Sequence, residues 1–256
     1  MTPEVFRMKD KLYHYTSLSS AISILSTSKL LMSNLEGLND INESYRLLQT
    51  YFKTGDNAEV TEDRLKAAEN ELKKYWQASL SNDKDLPGFA IPAMWGHYGE
   101  RGFGACIVLD KQILLQNLSP DKYTYNAISY LEDYNGEICI DGDPVEYFKR
   151  NKEKIFFRKT KDWEYEQEFR VICRTDKVED TMIDIKDCII AVVIWFAKGI
   201  DNQNDSCFSS LSYRRLNYLF PEIPILEGCI SDNQAILRDT KGNRWYPEPV
   251  KICLSI

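Results

Sequence analysis

Trp163-Glu164-Tyr165-Glu166-Gln167-Glu168-Phe169-Arg170 is the stretch around which the rest of the chain is arranged. Its aromatic content, continued by Val171, predicts a strand. Period-two alternation then puts Trp163, Tyr165, Phe169 and Val171 on one face and Glu164, Glu166, Glu168 and Arg170 on the other. Like charges at two-residue spacing repel one another, so this face is stable only where it is wet or where a cation or substrate lies against it. That makes it a site candidate. The same pattern also fits an edge strand with a solvated, charged outer face.

Working outward, 256 residues with 43% hydrophobic content are enough to bury a substantial core. No repeat, low-complexity tract or linker divides them, and a single α+β domain over residues 1–256 with a mixed sheet is expected. A net charge of −7 argues against an electrostatic grip on nucleic acid. The seven cysteines, Cys106, Cys139, Cys173, Cys188, Cys207, Cys229 and Cys253, never form a C-x-x-C pair and are expected to be buried, reduced thiols. The start, MTPEVFRMKDK, lacks an apolar signal region, and no later segment is long and apolar enough to span a bilayer. The expectation is a soluble, cytoplasmic protein with no membrane partner.

Short strands are predicted at Leu12 to Tyr15 and Leu30 to Ser33, with a helix between them carrying Ala21, Ile22 and Leu25 and capped by Ser19 or Ser20. After the turn-rich Asn34 to Asn42, a helix holds Tyr45, Leu47 and Leu48. Asp56 and Glu59 form a capping-box pair for a long helix whose buried side carries Val60, Ala68, Leu72, Tyr75 and Trp76. Ala78 to Ser81 is a strand, Pro92 opens a short helix through Met94 to Gly99, and Phe103 to Leu109 is an apolar strand ending at the helix cap Asp110. Further strands are expected at Thr124 to Tyr130, Glu137 to Ile140, Ile189 to Phe196, Ile223 to Ile230 and Val250 to Ile256. Helices are expected from Pro144 to about Phe156 and from Ser206 to Leu219. Ile189 to Phe196, the most hydrophobic run, should be a central strand.

The only two histidines both lie in aromatic clusters, Tyr13-His14-Tyr15-Thr16-Ser17 and Trp95-Gly96-His97-Tyr98. Histidine beside tyrosine and threonine sets donors and acceptors next to flat apolar faces, which suits a ligand with an aromatic ring and a sugar. Equally, these aromatics can be core residues and the histidines loop fasteners. Neither H-x-x-x-H nor H-x-D spacing is present for a metal, there is no G-x-S-x-G nucleophile elbow, and Gly102-Phe103-Gly104 precedes a strand rather than opening a helix, unlike a dinucleotide-binding turn.

Leu12-Tyr13-His14-Tyr15-Thr16-Ser17, Leu38-Asn39-Asp40 with Glu43, Ala78-Ser79-Leu80-Ser81, Met94-Trp95-Gly96-His97-Tyr98, Gly104 to Leu109 and Trp163-x-Tyr165-Glu166-x-Glu168-x-Arg170 resemble, in this order, a bacterial family catalogued only as a domain of unknown function (number twenty-nine seventy-one). The resemblance spans roughly residues 12 to 200 and carries no activity. The opening, Tyr-His-x-Thr followed by a helix and a short strand, is also similar to ADP-ribosyltransferases of the DarT and PARP-like kind. That likeness implies a split, mixed β-sheet with flanking helices and NAD as substrate. It implies catalytic roles for His14 and for Glu166 or Glu168, with Glu168 favoured as the neighbour of Arg170. It further implies a cofactor-binding set of Tyr13, Tyr15, Thr16, Ser79, Trp95, His97, Tyr98 and Arg170. The chain departs from that pattern in lacking a His-Gly step after the first strand, and Glu164 extends its E-x-E pair. The implied protein is an NAD-using effector that modifies a protein, nucleic acid or small-molecule acceptor, in the manner of a toxin or phage-defence component. Two alternatives come from other classes: a non-catalytic nucleotide-sensing or partner-binding protein, and a metal-dependent nuclease-like effector using His14, His97 and the glutamates.

Overall fold

The computed structural model describes residues 2–35, 62–132, 143–195, 211–231, 234–245 and 250–251. Along the chain these form α1 (Pro3–Met8), β1 (Lys11–Thr16), α2 (Leu18–Thr27), β2 (Lys29–Leu31), β3 (Ser33–Asn34), α3 (Glu62–Leu72), β4 (Tyr75–Asn82), α4 (Pro92–His97), β5 (Ala105–Asp110), α5 (Lys111–Asn117), β6 (Tyr123–Ala127) and β7 (Ser129–Leu131). There follow α6 (Pro144–Arg150), α7 (Lys152–Phe156), β8 (Arg158–Thr160), β9 (Glu168–Arg174), β10 (Met182–Asp184), β11 (Ile189–Trp195), α8 (Leu211–Leu219), β12 (Ile225–Ser231), β13 (Gln234–Arg238) and β14 (Val250–Lys251).

Among the described residues, one sheet runs in the order β14-β13-β12-β11-β5-β1-β4-β9-β6, with β3 beside β4. It is mixed, since β11 and β12 are parallel while β5, β1, β4 and β9 alternate in direction. β5 is buried at every position, and β11 reads Ile-Ile-Ala-Val-Val-Ile-Trp. Such runs suit strands covered on both faces. Along β1 the alternation sorts side chains cleanly. Leu12 joins Leu80, Ile107, Val171 and Val192 under α2, while Tyr13 and Tyr15 join Val108, Val193, Met94 and Trp95 on the opposite face. A third cluster packs Phe148 of α6 and Phe156 of α7 against Tyr75 and Ile172. The fold is thus α+β, with helices flanking a mixed sheet.

The sheet is split beside β1. That strand pairs with β5 along its whole length, from Lys11↔Asp110 to Thr16↔Ala105, but with β4 only at Leu12↔Asn82 and Tyr13↔Ser81. β4 instead keeps its register with β9 from Tyr75↔Arg174 to Ser81↔Glu168. Beyond Tyr13 the two halves part, and His14 and Ser79 lie on facing banks.

The main correction concerns residues 163–170. Lys161–Glu166 form a 3₁₀ turn, Gln167 sits in the left-handed region at φ 48° and ψ 43°, and the strand begins only at Glu168. Glu164, Glu166 and Glu168 therefore share no strand face. β9 is not an edge either, since it lies between β4 and β6. The physical reason is tertiary: the Gln167 side chain gains backbone partners in the 82–86 loop, distant in sequence, and these outweigh the weak β-propensity of a Glu-rich segment.

Smaller differences follow the same logic. Ser17, rather than Ser19 or Ser20, caps α2 by accepting from Ser20 N at 3.1 Å. Tyr75 and Trp76 open β4 instead of closing a helix. The 124–130 segment breaks at Ile128 into two strands, β7 pairing with β8. β13 was not anticipated from sequence. The helix around Tyr45, the Asp56/Glu59 cap and the Glu137 to Ile140 strand lie outside the described residues, as do Cys139, Cys207 and Cys253. Cys106, Cys173 and Cys188 are buried free thiols, and Cys229 is partly exposed. No helix among the described residues is long and apolar enough to cross a membrane.

Candidate functional site

Four ionisable side chains meet inside the fold. β8 brings in Lys159, whose Nζ lies 2.6 Å from Glu166 Oε2 and 2.9 Å from Glu168 Oε2. Arg170, two residues along β9, grips Glu168 with both prongs, Nε to Oε1 at 2.7 Å and Nη2 to Oε2 at 3.0 Å, and donates from Nη1 to the Phe156 carbonyl at 2.7 Å. Exposure is 3% for both glutamates, 6% for Lys159 and 2% for Arg170. Water therefore screens these pairs little, and each charge depends on its partners. The Tyr98 hydroxyl donates to Glu166 Oε1 at 2.9 Å, and the Tyr130 hydroxyl accepts from Glu168 N at 2.8 Å. The Trp163 ring covers the Lys159 ammonium, 5.2 Å from its centroid, a cation–π contact.

The two carboxyls are electrostatically unlike. Burial pushes Glu166 above the usual carboxylate range and the neighbouring Glu168 adds to this, against the pull of Lys159 and the Tyr98 hydrogen bond. Burial also pushes Glu168 upward, but Arg170, Lys159 and hydrogen bonds from Arg170 and Ser79 outweigh it and hold Glu168 well below that range. Two carboxylates whose environments drive them apart can serve as a proton-holding and a permanently charged partner.

Ser79 joins this cluster to the split. Its hydroxyl accepts from Gln77 Nε2 at 3.3 Å and helps hold Glu168 ionised, while its backbone acts on the His14 imidazole. Burial lowers His14 to about 4 despite that bond, so the ring is neutral at physiological pH. The registers Tyr13↔Ser81, Ser81↔Glu168 and Ser79↔Arg170 put Tyr13, Ser79, Ser81, Glu168 and Arg170 on one face of the sheet. His14, out of phase with Tyr13, belongs to the face of Leu12 and reaches Ser79 through the opening. Ser81 Oγ and Gln77 Oε1 on this stripe are buried and find no hydrogen-bond partner among the described residues. An unpaired buried hydroxyl costs about 1–3 kcal/mol. Ser81→Ala is accordingly expected to leave the melting temperature unchanged or raise it slightly, as thermal unfolding will show.

The other sequence-predicted residues separate into two groups. Tyr98, Ser79 and Arg170 are in the cluster. Tyr13, Tyr15 and Trp95 are core aromatics: Tyr13 OH donates to Asp83 at 3.2 Å, Tyr15 OH donates to the Gly88 carbonyl, and Trp95 donates to the Phe89 carbonyl at 2.8 Å while stacking on Trp195. Gly88 is required there, because a Cβ would lie 2.2 Å from the Tyr13 ring. Thr16 pairs with Ala105 at the end of β1. His97 is exposed, its ring 6.4 Å from that of Tyr165, and no contact ties it to the carboxylates. Among the described residues no group of three or more His, Cys, Asp and Glu is arranged to hold a metal ion. Sequence reasoning missed Lys159, Tyr130 and Gln167. Lys159 is one of three cations, Arg158, Lys159 and Lys161, just upstream of the glutamates, and nothing in the sequence singles it out or marks Tyr130.

Residues 94–171 match the family described as Protein of unknown function (DUF2971). This is the family the sequence motifs resemble, over a shorter span than the motifs suggested. The DUF2971 stretch takes in Tyr98, Tyr130, Lys159, Glu166, Glu168 and Arg170, hence all four buried charges, while His14 and Ser79 lie outside it. No curated protein and no solved structure matches the chain.

Proposed function

We propose that this chain is an ADP-ribosyltransferase-like protein that takes NAD as substrate and acts at the split between β1 and β4. The observation that carries this reading is the convergence on Ser79 at the split: its backbone acts on the His14 imidazole from one half of the sheet and its side chain on Glu168 from the other. Cleaving the nicotinamide–ribose bond builds positive, oxocarbenium-like charge on the sugar, which a nearby carboxylate stabilises. Glu168, held ionised, suits that role. Glu166, which retains its proton more readily, suits proton transfer with the acceptor. A neutral His14 can hydrogen-bond a ribose hydroxyl without opposing the developing charge.

A specific observation favours a second reading, a nucleotide-sensing or partner-binding protein without catalysis. Both carboxylates are already matched by cations inside the fold, so the negative charge offered to a transition state is largely offset.

Incubation with NAD labelled on the adenylate, with and without cell extract, separates the two. The transferase reading expects transfer of label or release of nicotinamide, reduced by about 10²–10⁴-fold in Glu166→Gln. It also expects NAD to raise the melting temperature by mass action. Binding without turnover would establish the second reading; neither binding nor turnover would sink both as applied to NAD.

A further inference from the structure

We propose that Gln167 is a positioning residue: by holding a left-handed turn between Glu166 and Glu168 it aims both carboxylates at the single ammonium of Lys159. On a continuous strand, residues two apart point the same way with their Cα atoms roughly 7 Å apart, and the 3₁₀ turn ahead of Glu166 would aim that side chain elsewhere. Inserting one left-handed residue between turn and strand reverses the chain locally, and both carboxylates then reach Lys159 Nζ, at 2.6 and 2.9 Å.

The conformation is unfavourable for any residue with a Cβ. Among the described residues, Ser28, Glu100, Arg101 and Gln167 are the non-glycine positions with positive φ, and of these only Gln167 is buried, at 4% exposure. It is held there from four sides. Its Oε1 accepts from Leu86 N at 2.8 Å, and its Nε2 donates to the Leu86 carbonyl at 2.8 Å and the Asn82 carbonyl at 2.9 Å. Its own carbonyl accepts from Asn82 N at 2.9 Å. The side-chain amide is thereby saturated by the backbone of one loop. A buried, strained residue fixed this fully and flanked by two paired carboxylates is placed to set their geometry. The loop it clamps runs on to Gly88 and Phe89, whose carbonyls receive the Tyr15 and Trp95 donors. Gln167 thus also ties the carboxylate pair to the aromatic wall behind β1.

The inference rests on the transferase reading only for the use made of the pair, and it is tested on the ligand-free protein without NAD. Gln167→Gly removes the clamp while tolerating the left-handed backbone, and Gln167→Asn keeps an amide and tolerates the turn but is one methylene too short. Glutamate carboxyl carbons are isotopically labelled and titrated by NMR, with the Glu166 signal assigned by its loss in Glu166→Gln. If Gln167 positions the pair, the Glu166 midpoint in each folded variant falls toward the ordinary carboxylate range, because the freed carboxyl regains water. A merely structural role would lower the melting temperature and leave the midpoint of the folded protein where it was, and that result overturns the proposal. If only one variant folds, its midpoint decides. Failure of both to fold also overturns it, by making Gln167 a requirement of the fold itself.

Discussion

Arg170→Met is expected to cost about 3–5 kcal/mol of unfolding free energy, the loss typical of removing one partner from a buried ion pair. Arg170 is among the largest fully buried side chains. Methionine fills much of its volume but leaves Glu168 with Lys159 alone and the Phe156 carbonyl without its donor. Glu168→Gln should be destabilising for the reciprocal reason, since it strands the guanidinium. This reverses what the sequence suggests, where removing one of several like charges from a crowded face should relieve repulsion. The double variant Arg170→Met/Glu168→Gln is expected to lose less than the sum of the two single losses, because the second change removes the charge the first left uncompensated. The exposed pair Lys161–Glu132, with side chains 56% and 80% exposed, is the internal control. Its loss should leave stability nearly unchanged. Urea unfolding of the five proteins measures all of this. Equal losses for Arg170→Met and Lys161→Met would mean that the buried network is not held as described.

The contrast between these two pairs shows what could and could not be read from the sequence. Runs with one dominant constraint were legible: β5 and β11 because both faces are apolar, α4 because Pro92 opens it, and the Asp110 cap because its side chain bonds Ile113 N at 3.2 Å. The site was legible as a list of residue types and not as geometry. Glu166, Glu168 and Arg170 do come together, but through a turn and a left-handed residue that period-two reasoning cannot represent. Lys159, which neutralises both glutamates, enters from β8, whose placement depends on the parallel pairing Tyr130↔Lys159. That is a long-range contact, and no local pattern encodes it. Likewise Tyr15 and Trp95 looked equally suited to a ligand or to a core, and their donors prove to be taken up by the Gly88 and Phe89 carbonyls. Only the three-dimensional partner list separates those readings.

Lowering the pH is expected to cost up to about 3 kcal/mol of stability through His14 alone. Its folded-state value of about 4 lies below the ordinary 6.5 because burial penalises the imidazolium. As pH falls through the ordinary value, the unfolded chain takes up a proton that the folded protein refuses. Stability is therefore complete above that value and lost progressively until the folded imidazole itself titrates near 4. Each unit of difference is worth about 1.4 kcal/mol; His14 keeps some access to solvent, so the figure is an upper bound. The carboxyls contribute with other signs. Glu168, held low, costs stability only in more acid solution, whereas Glu166, held high, gains stability as pH falls through its folded-state value. Comparison with His14→Gln removes these common terms, because glutamine can donate to the Ser79 carbonyl but takes up no proton. Unfolding free energies at about pH 7.5 and about pH 4.5 should differ more for the native protein than for the variant. Parallel pH profiles would show that His14 titrates in the folded protein as it does in the unfolded chain, without a penalty from burial. That result would leave the imidazole free to take up a proton in mildly acid solution, where the transferase reading requires a neutral ring.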